Sequence, residues 1–164
     1  MPRLDHLLLA GSIAAVAAVA ACDDDGPTGG PETFTASFAS ATTAAPGGRC
    51  PALTVAIAGP GTASPGGSFT TLQSHCIDPA GANPGLFSDG IFTFTYTGGD
   101  QISGTYQGQL VPTADPALFT IDGEFAITDG TGEFDGATGG GDAGGEANLA
   151  TGDSSLELTG TIDR

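Results

Sequence analysis

Apolar and polar residues alternate along most of the chain after residue 32. The clearest example is the segment 117–128, ALFTIDGEFAIT, in which Phe and Ile at odd positions alternate with Thr, Asp and Glu at even positions. Successive side chains of a β-strand point to opposite faces, so this pattern predicts strands with one apolar and one polar face. No segment after residue 32 has apolar residues at helical spacing over a useful length. We therefore predict an all-β domain.

Gly- and Pro-rich segments divide the alternating pattern into eight predicted strands. These strands cover residues 33–41, 52–58, 68–78, 91–97, 101–111, 117–128, 144–151 and 154–163. Most are joined by short turns, which are typical of antiparallel hairpins. Eight antiparallel strands can close into a barrel, and closure removes the edges through which an exported protein would aggregate. We therefore predict an eight-stranded antiparallel β-barrel over residues 32–164, with a β-sandwich as the alternative.

Aromatic residues on the apolar faces are candidates to line the barrel interior, namely Phe92, Phe94, Tyr96, Phe119 and Phe125. Glycines interrupt several of these faces. A glycine in a strand leaves space that either the rings of opposite strands fill or a ligand occupies. Small barrels normally pack their interiors with side chains, so we expect the rings to fill it. A pocket lined by these aromatic residues, with a buried polar group reaching it, would instead favour a ligand or an enzymatic role. A core that these residues fill would favour a structural role.

The first 22 residues, MPRLDHLLLAGSIAAVAAVAAC, depart from the alternating pattern. A basic start is followed by an uncharged apolar run over 7–21. This run of about 15 residues is too short to cross a hydrocarbon core of about 30 Å as a helix. Its short length and its flanks favour a cleaved export signal. The residues VAAC at 19–22 also resemble the lipobox of bacterial lipoproteins.

The lipobox resemblance implies that lipid is attached to the Cys22 thiol and that a signal peptide, residues 1–21, is removed. It implies a location at the bacterial cell envelope, on the periplasmic or extracellular side, with membrane contact through the N-terminal lipid. Residues 22–31, CDDDGPTGGP, have no apolar periodicity and predict a flexible tether before the domain. The alternative is ordinary cleavage near Ala20 and Ala21, which leaves a secreted protein with a free thiol.

The chain carries 19 acidic residues against three arginines and no lysine, which gives a net charge of −16. A protein that binds nucleic acid presents a basic patch to the phosphates. This composition therefore argues against nucleic acid as a partner. Positive charge is also too scarce to hold the protein on anionic lipid, so membrane contact would come from the lipid on Cys22.

The chain has three cysteines. With Cys22 as the lipid site, Cys50 and Cys76 remain, and an exported protein favours a disulfide between them. The competing interpretations are a metal site and a catalytic thiol, but no His or Cys cluster at ligand spacing accompanies the pair. The segment 139–147, GGGDAGGEA, is one imperfect copy of a glycine–aspartate calcium repeat, which does not make a calcium site by itself. We expect no metal and no cofactor.

The segment 125–141, FAITDGTGEFDGATGGG, places two glycine turns around Phe134. It resembles a recurring motif of the allene oxide cyclase-like and dirigent-like β-barrels, in which a glycine-rich stretch around a phenylalanine follows a strand. The segments SHCID at 74–78 and SDGIFTFTYTGGDQISGTYQG at 88–108 resemble secreted or lipid-anchored bacterial members. The resemblance covers most of 34–162 and implies an eight-stranded barrel with an apolar interior, often assembled as a homo-oligomer. Plant members cyclise an unstable epoxide or guide stereoselective radical coupling, and none of their active-site residues can be placed on this sequence.

These observations favour a lipid-anchored β-barrel that is not an enzyme. It would be a binding or structural module at the cell envelope, with a small apolar molecule as the candidate ligand. The alternative is a cyclase- or dirigent-type enzyme that acts on a small apolar substrate in the barrel. His75, the one histidine after Cys22, is a candidate acid–base group or a structural residue. A subunit-interaction domain is a third interpretation, which a large exposed apolar patch would support.

Overall fold

The computed structural model of this protein describes residues 30–164. They form eight strands and one short 3-10 helix. The strands are β1 (Glu32–Pro46), β2 (Leu53–Ser64), β3 (Gly67–Ile77), β4 (Leu86–Tyr96), β5 (Gln101–Pro112), β6 (Leu118–Thr131), β7 (Thr138–Asn148) and β8 (Asp153–Asp163). The helix, Gly132–Phe134, lies between β6 and β7. The predicted signal peptide, Cys22 and most of the predicted tether lie outside the described residues.

The strands form one closed barrel, in which each strand pairs antiparallel with the next and β1 pairs with β8. The closing ladder runs from Glu32 opposite Ile162 to Ala41 opposite Asp153. The predicted eight-stranded antiparallel barrel is therefore confirmed. The sandwich alternative is wrong, because a continuous ladder around the barrel leaves no edge strand.

Several strands are longer than the sequence predicts, and two of them show why. β2 continues to Ser64 through a Gly- and Pro-rich segment that predicted a loop. β7 begins at Thr138 rather than at 144, because its glycines carry no side chains that could show an alternation. Gly141 on β7 faces Gly160 on β8, and a Cβ on either one would collide with a backbone carbonyl oxygen of the opposite strand. The missing side chains therefore let these two strands approach.

The 3-10 helix closes one end of the barrel, called the closed end below. The ring of Phe134 is fully buried there, with its centroid 4.8 Å from that of Tyr96. The Arg164 guanidinium lies 5.3 Å from the centroid of the Phe134 ring, and its Nε lies 2.7 Å from a carboxylate oxygen of Glu32. Because Glu32 begins β1, the chain enters the barrel at the closed end.

Aromatic side chains fill the half of the barrel next to the closed end, called the closed half. Phe94 is fully buried, and its ring stacks on Phe69 with the centroids 4.2 Å apart. Phe38 and Phe92 also pack on the Phe94 ring, at centroid distances of 5.7 Å and 4.9 Å. Such aromatic pairs stabilise a core beyond the effect of their buried area, so this half is a tightly packed core.

Four of the five residues predicted to line the interior belong to this packed cluster, namely Phe92, Phe94, Tyr96 and Phe125. The fifth, Phe119, is half-buried near the other end of the barrel. Gly104 shows how the rings use the space that glycine leaves, since a Cβ there would lie 2.7 Å from Cε1 of Phe92. The same Cβ would collide with the carbonyl oxygen of Ala126 on β6, so the close approach of that strand and the Phe92 ring together require a glycine at this position.

The opposite end of the barrel, called the open end, is bordered by the loops 47–52, 78–85, 113–117 and 149–152. Cys50 in the first loop is joined by a disulfide to Cys76 on β3. The bond predicted from the cysteine count is therefore present in the structure. It links residues 26 positions apart, and a bridge of this span stabilises a fold by about 3.5 kcal/mol in the chain-entropy model.

Candidate functional site

The open end of the barrel contains a cavity of about 450 Å³. Small-molecule sites typically span about 300–1,000 Å³. The wall is mainly apolar, and its side chains include Val55, Ile57, Phe87, Leu110, Ile121 and Leu156. Two other depressions lie on the outer wall and are more open to solvent. The enclosed cavity is therefore the candidate site.

Small inward side chains on two strands, β1 and β7, border the cavity. On β1, Phe34 and Phe38 point into the closed half, whereas Ser40 and Ala44 follow them towards the open end. On β7 the lining side chains are those of Ala143 and Ala147, which reach only a short way into the interior. The backbone diameter of a closed barrel is set by the number and tilt of its strands. Small inward residues therefore leave the open half unfilled.

A stripe of polar side chains crosses this apolar interior along β3. Thr71, Gln73 and His75 occupy successive inward positions, and all three are buried. Gln73 Nε2 donates a hydrogen bond of 3.1 Å to Thr71 Oγ1. Gln73 and His75 also line the cavity. Buried polar groups need hydrogen-bond partners, so this stripe supplies the cavity with a small set of directed polar contacts.

His75 forms the most specific of these contacts. Its Nδ1 lies 2.8 Å from the hydroxyl oxygen of Tyr106, which also lines the cavity. The imidazole packs on Phe87 at a centroid distance of 5.0 Å and stands perpendicular to the Tyr106 ring, at 87° and 5.6 Å. These contacts hold the imidazole and the phenol in one mutual orientation.

Tyr106 lies on β5 and reaches His75 on β3 across the intervening strand β4. The residue of β4 opposite Tyr106 is Gly90, where a Cβ would lie 2.6 Å from Cδ1 of the tyrosine. The β4–β5 register shifts between Phe87 and Gly90, and Asp89 has a φ of 52°. A β-bulge redirects side chains locally. The bulge and its glycine therefore clear the space through which Tyr106 reaches His75.

Both members of this pair are uncharged near pH 7. Burial, and to a lesser extent the charge of Arg49, lowers the pKa of His75 to about 4. Burial also raises the pKa of the Tyr106 hydroxyl, although Arg49 opposes the shift. Arg49 itself is exposed and donates hydrogen bonds to the Ser74 hydroxyl at 2.9 Å and to the carbonyl oxygens of Ser74 and Asp89. The cavity therefore presents neutral hydrogen-bonding groups.

The His75–Tyr106 hydrogen bond leaves the pair with one further donor and one further acceptor in either tautomer. If Tyr106 donates to Nδ1, then the remaining donor is the Nε2–H of His75. If Nδ1–H donates to the tyrosine oxygen, then the remaining donor is the Tyr106 hydroxyl. The pair can therefore bind one additional polar atom.

The five aromatic residues predicted to line the barrel interior do not border this cavity. Phe92, Phe94, Tyr96 and Phe125 fill the closed half, and Phe119 is not among the lining side chains. Alternation identifies the inward face correctly but does not give the height of a residue in the barrel. The rings of the closed half fill the interior, as expected, and the cavity lies in the other half, where the sequence predicted none.

Sequence reasoning singled out His75 but not its partner Tyr106 or its neighbour Gln73. The available signal was the segment 71–75, TLQSH, in which polar residues occupy three successive inward positions of a strand. An inward polar residue is unusual in a small barrel, so such a run marks the site. Tyr106 lies on β5 and His75 on β3, with β4 between them. No pattern within either strand indicates that these two side chains meet.

The remaining chemical predictions concern metals, membranes and partners. Within residues 30–164, no group of three or more His, Cys, Asp or Glu could hold a metal ion. No helix in that range is long and apolar enough to span a membrane. Leu72 and Ile91 are exposed on the neighbouring strands β3 and β4. Isolated exposed apolar residues are common on soluble surfaces, so the homo-oligomer implied by the family resemblance stays a prediction.

The lowered pKa of His75 predicts a loss of stability in mild acid. In the unfolded chain the imidazole binds a proton below about pH 6.5, whereas in the folded protein it does so only below about pH 4. Above about pH 6.5 the imidazole is neutral in both the folded and the unfolded state, so His75 does not lower the free energy of unfolding there. That free energy falls by about 3 kcal/mol as the pH decreases towards 4.

Urea denaturation of the wild type and of His75→Gln, followed between about pH 7 and pH 5, measures this loss. Glutamine keeps a polar group near Tyr106 but does not titrate, so the variant should show a flatter decline. The carboxylates titrate in both proteins, so their effect on the free energy of unfolding cancels when the variant is compared with the wild type. The same pH dependence in both proteins would contradict a buried neutral imidazole.

Comparison with models of known protein families finds no match for this chain. No curated protein and no solved structure matches it either. The functional conclusion therefore depends on the geometry of the cavity and on the sequence of the N-terminal segment.

Proposed function

We propose that this protein is a lipid-anchored barrel of the bacterial cell envelope that binds a small, mainly apolar molecule in the cavity at its open end. The cavity of about 450 Å³ is the observation that carries the proposal. Side chains pack the closed half of the same barrel, so an eight-stranded interior can be filled. Unfilled apolar volume costs stability, and ligand binding gives a reason for keeping it.

The geometry favours binding over acid–base catalysis. A general acid or base is most effective when its pKa lies near the working pH. The pKa of His75, at about 4, makes the imidazole a weak base at neutral pH. The cyclase- or dirigent-type alternative requires a shaped apolar cavity with one or two polar groups, which is also what a binding site requires. We therefore assign His75 and Tyr106 to ligand recognition.

The place where the chain enters the barrel supports one orientation of the barrel at the membrane. The chain enters the barrel at Glu32, at the closed end, beside Phe134. With lipid on Cys22 and a short tether over 22–31, the closed end would face the bilayer. The cavity would then open at the far end, towards the aqueous space. We infer that the ligand is exchanged with solution or with another protein rather than taken directly from the bilayer.

A dye-binding experiment tests the cavity as a ligand site. N-phenyl-1-naphthylamine is a neutral dye whose fluorescence rises in apolar surroundings. We expect saturable binding to the Cys22→Ser protein, which lacks acyl chains that would themselves attract the dye. Ala147→Phe places a ring in the cavity wall and should weaken binding about tenfold or more, since the added ring takes up the volume that the dye would fill.

The matched control is Ala56→Phe, which adds the same ring to an exposed position on the outer wall of β2. This variant should bind the dye like the parent protein. Thermal unfolding checks that both variants are folded. Binding that does not saturate, or that Ala147→Phe leaves unchanged, would contradict the proposal.

Intact mass analysis tests the lipid anchor. Wild-type protein from the membrane fraction of its host should be heavier than the chain from Cys22 to Arg164 by the mass of its acyl groups. Cys22→Ser should lack that added mass. The Cys50→Ser/Cys76→Ser protein serves as the control, because it loses two cysteines and should keep the lipid. A wild-type protein without acyl groups rules out the anchor.

A further inference from the structure

We propose that the cavity selects a neutral ligand with a single ketone or hydroxyl oxygen, which hydrogen bonds to the His75–Tyr106 pair, and that it excludes carboxylates. This inference rests on the proposed function and adds the chemical class of the ligand. It combines the position of the pair in the wall, the apolar character of the surrounding surface and the absence of cationic side chains from the described residues that line the cavity.

The His75–Tyr106 pair can form a hydrogen bond with an oxygen atom of a ligand. His75 and Tyr106 both line the cavity, and the bond between them leaves one donor and one acceptor unused. The neighbouring wall is made largely of aliphatic side chains. A polar group desolvated without a partner costs about 1–3 kcal/mol. An apolar ligand without oxygen would impose this cost on the pair, whereas a ketone or hydroxyl oxygen would remove it.

The described lining of the cavity contains no arginine or lysine that could pair with a carboxylate. Neither Arg49 nor Arg164 lines the cavity: Arg49 is exposed and bonded to Ser74 and Asp89, and Arg164 lies at the closed end. The one charged side chain in the wall is Asp153, which is exposed at the rim and would repel an anion. A carboxylate that enters would lose its hydration and meet no cation in return. Protonated His75 does not supply that cation at neutral pH, because burial disfavours its charge.

The surrounding side chains fix the orientation of His75 and Tyr106. Phe87 and the Tyr106 ring hold the imidazole, and the β4 bulge at Gly90 makes room for the phenol. A hydrogen-bonding site that is fixed before binding discriminates strongly between ligands with and without the matching oxygen. The pair therefore fixes the orientation of the ligand, and the aliphatic wall accommodates the rest of it.

Three probes of nearly equal shape test the inference at about pH 7.5. At this pH a free carboxylate is ionised and His75 is neutral. They are 2-acetylnaphthalene, a ketone; 2-naphthoate, a carboxylate; and 2-ethylnaphthalene, which has no oxygen. Equilibrium dialysis against the Cys22→Ser protein measures each affinity directly. We expect the ketone to bind about a hundredfold more tightly than the carboxylate. Equal affinities for these two would overturn the inference.

The variant His75→Leu/Tyr106→Phe removes both polar groups together and keeps their apolar volume. It should weaken ketone binding about tenfold and leave 2-ethylnaphthalene binding unchanged, because one hydrogen bond is lost. Gln107→Leu is the matched control, since it breaks an exposed hydrogen bond to Glu124 on the outer wall. It should leave all three affinities unchanged.

The outcomes separate the two proposals. If 2-ethylnaphthalene binds but the double variant weakens it as much as the ketone, then the cavity is a ligand site without oxygen recognition, and this inference is wrong. If none of the probes binds, then the proposed function fails together with the inference. Should the double variant not fold, the wild-type wall still decides the question: equal affinities for the ketone and for 2-ethylnaphthalene would overturn oxygen recognition.

Discussion

Closure of the sheet between β1 and β8 is the constraint on which the rest of this structure depends. Once the ladder from Glu32 to Ala41 pairs with β8, the circumference of the barrel is fixed by eight strands and their tilt. The side chains must then fill a volume that they cannot change. The phenylalanine cluster around Phe94 does so in the closed half. In the open half Ala44 and the alanines of β7 do not, and a cavity results.

The same constraint explains how function is divided along the barrel axis. The packed half, with Phe134 and the Arg164 ion pairs at its end, provides a stable base where the chain enters. The open half is supported differently, by the Cys50–Cys76 disulfide, and it holds the neutral His75–Tyr106 pair. A ligand site placed away from the packed core can keep open volume, because the core next to it supplies much of the stability.

The alternating pattern predicted the inward face of several strands but not the height of a residue in the barrel. Alternation is a local property, so it placed Phe92 and Leu110 on inward faces without showing that one lies in the core and the other borders the cavity. The glycines of β7 hid the first half of that strand, because they carry no side chain to alternate. Tyr106 meets His75 across β4 through a bulge at Gly90, which depends on register rather than on composition. The disulfide was predictable, because an exported chain with two remaining cysteines offers one pairing.

The central claim is that the interior has one packed half and one open half. Xenon enters apolar cavities and does not enter packed cores, so methyl NMR of the isoleucines under xenon pressure tests the claim directly. The account predicts shifts at the cavity-lining residues Ile57, Ile77 and Ile121. It predicts none at Ile102, Ile127 and Ile162, which lie in the packed core. Shifts in the second group, or no shifts in the first, would contradict the account.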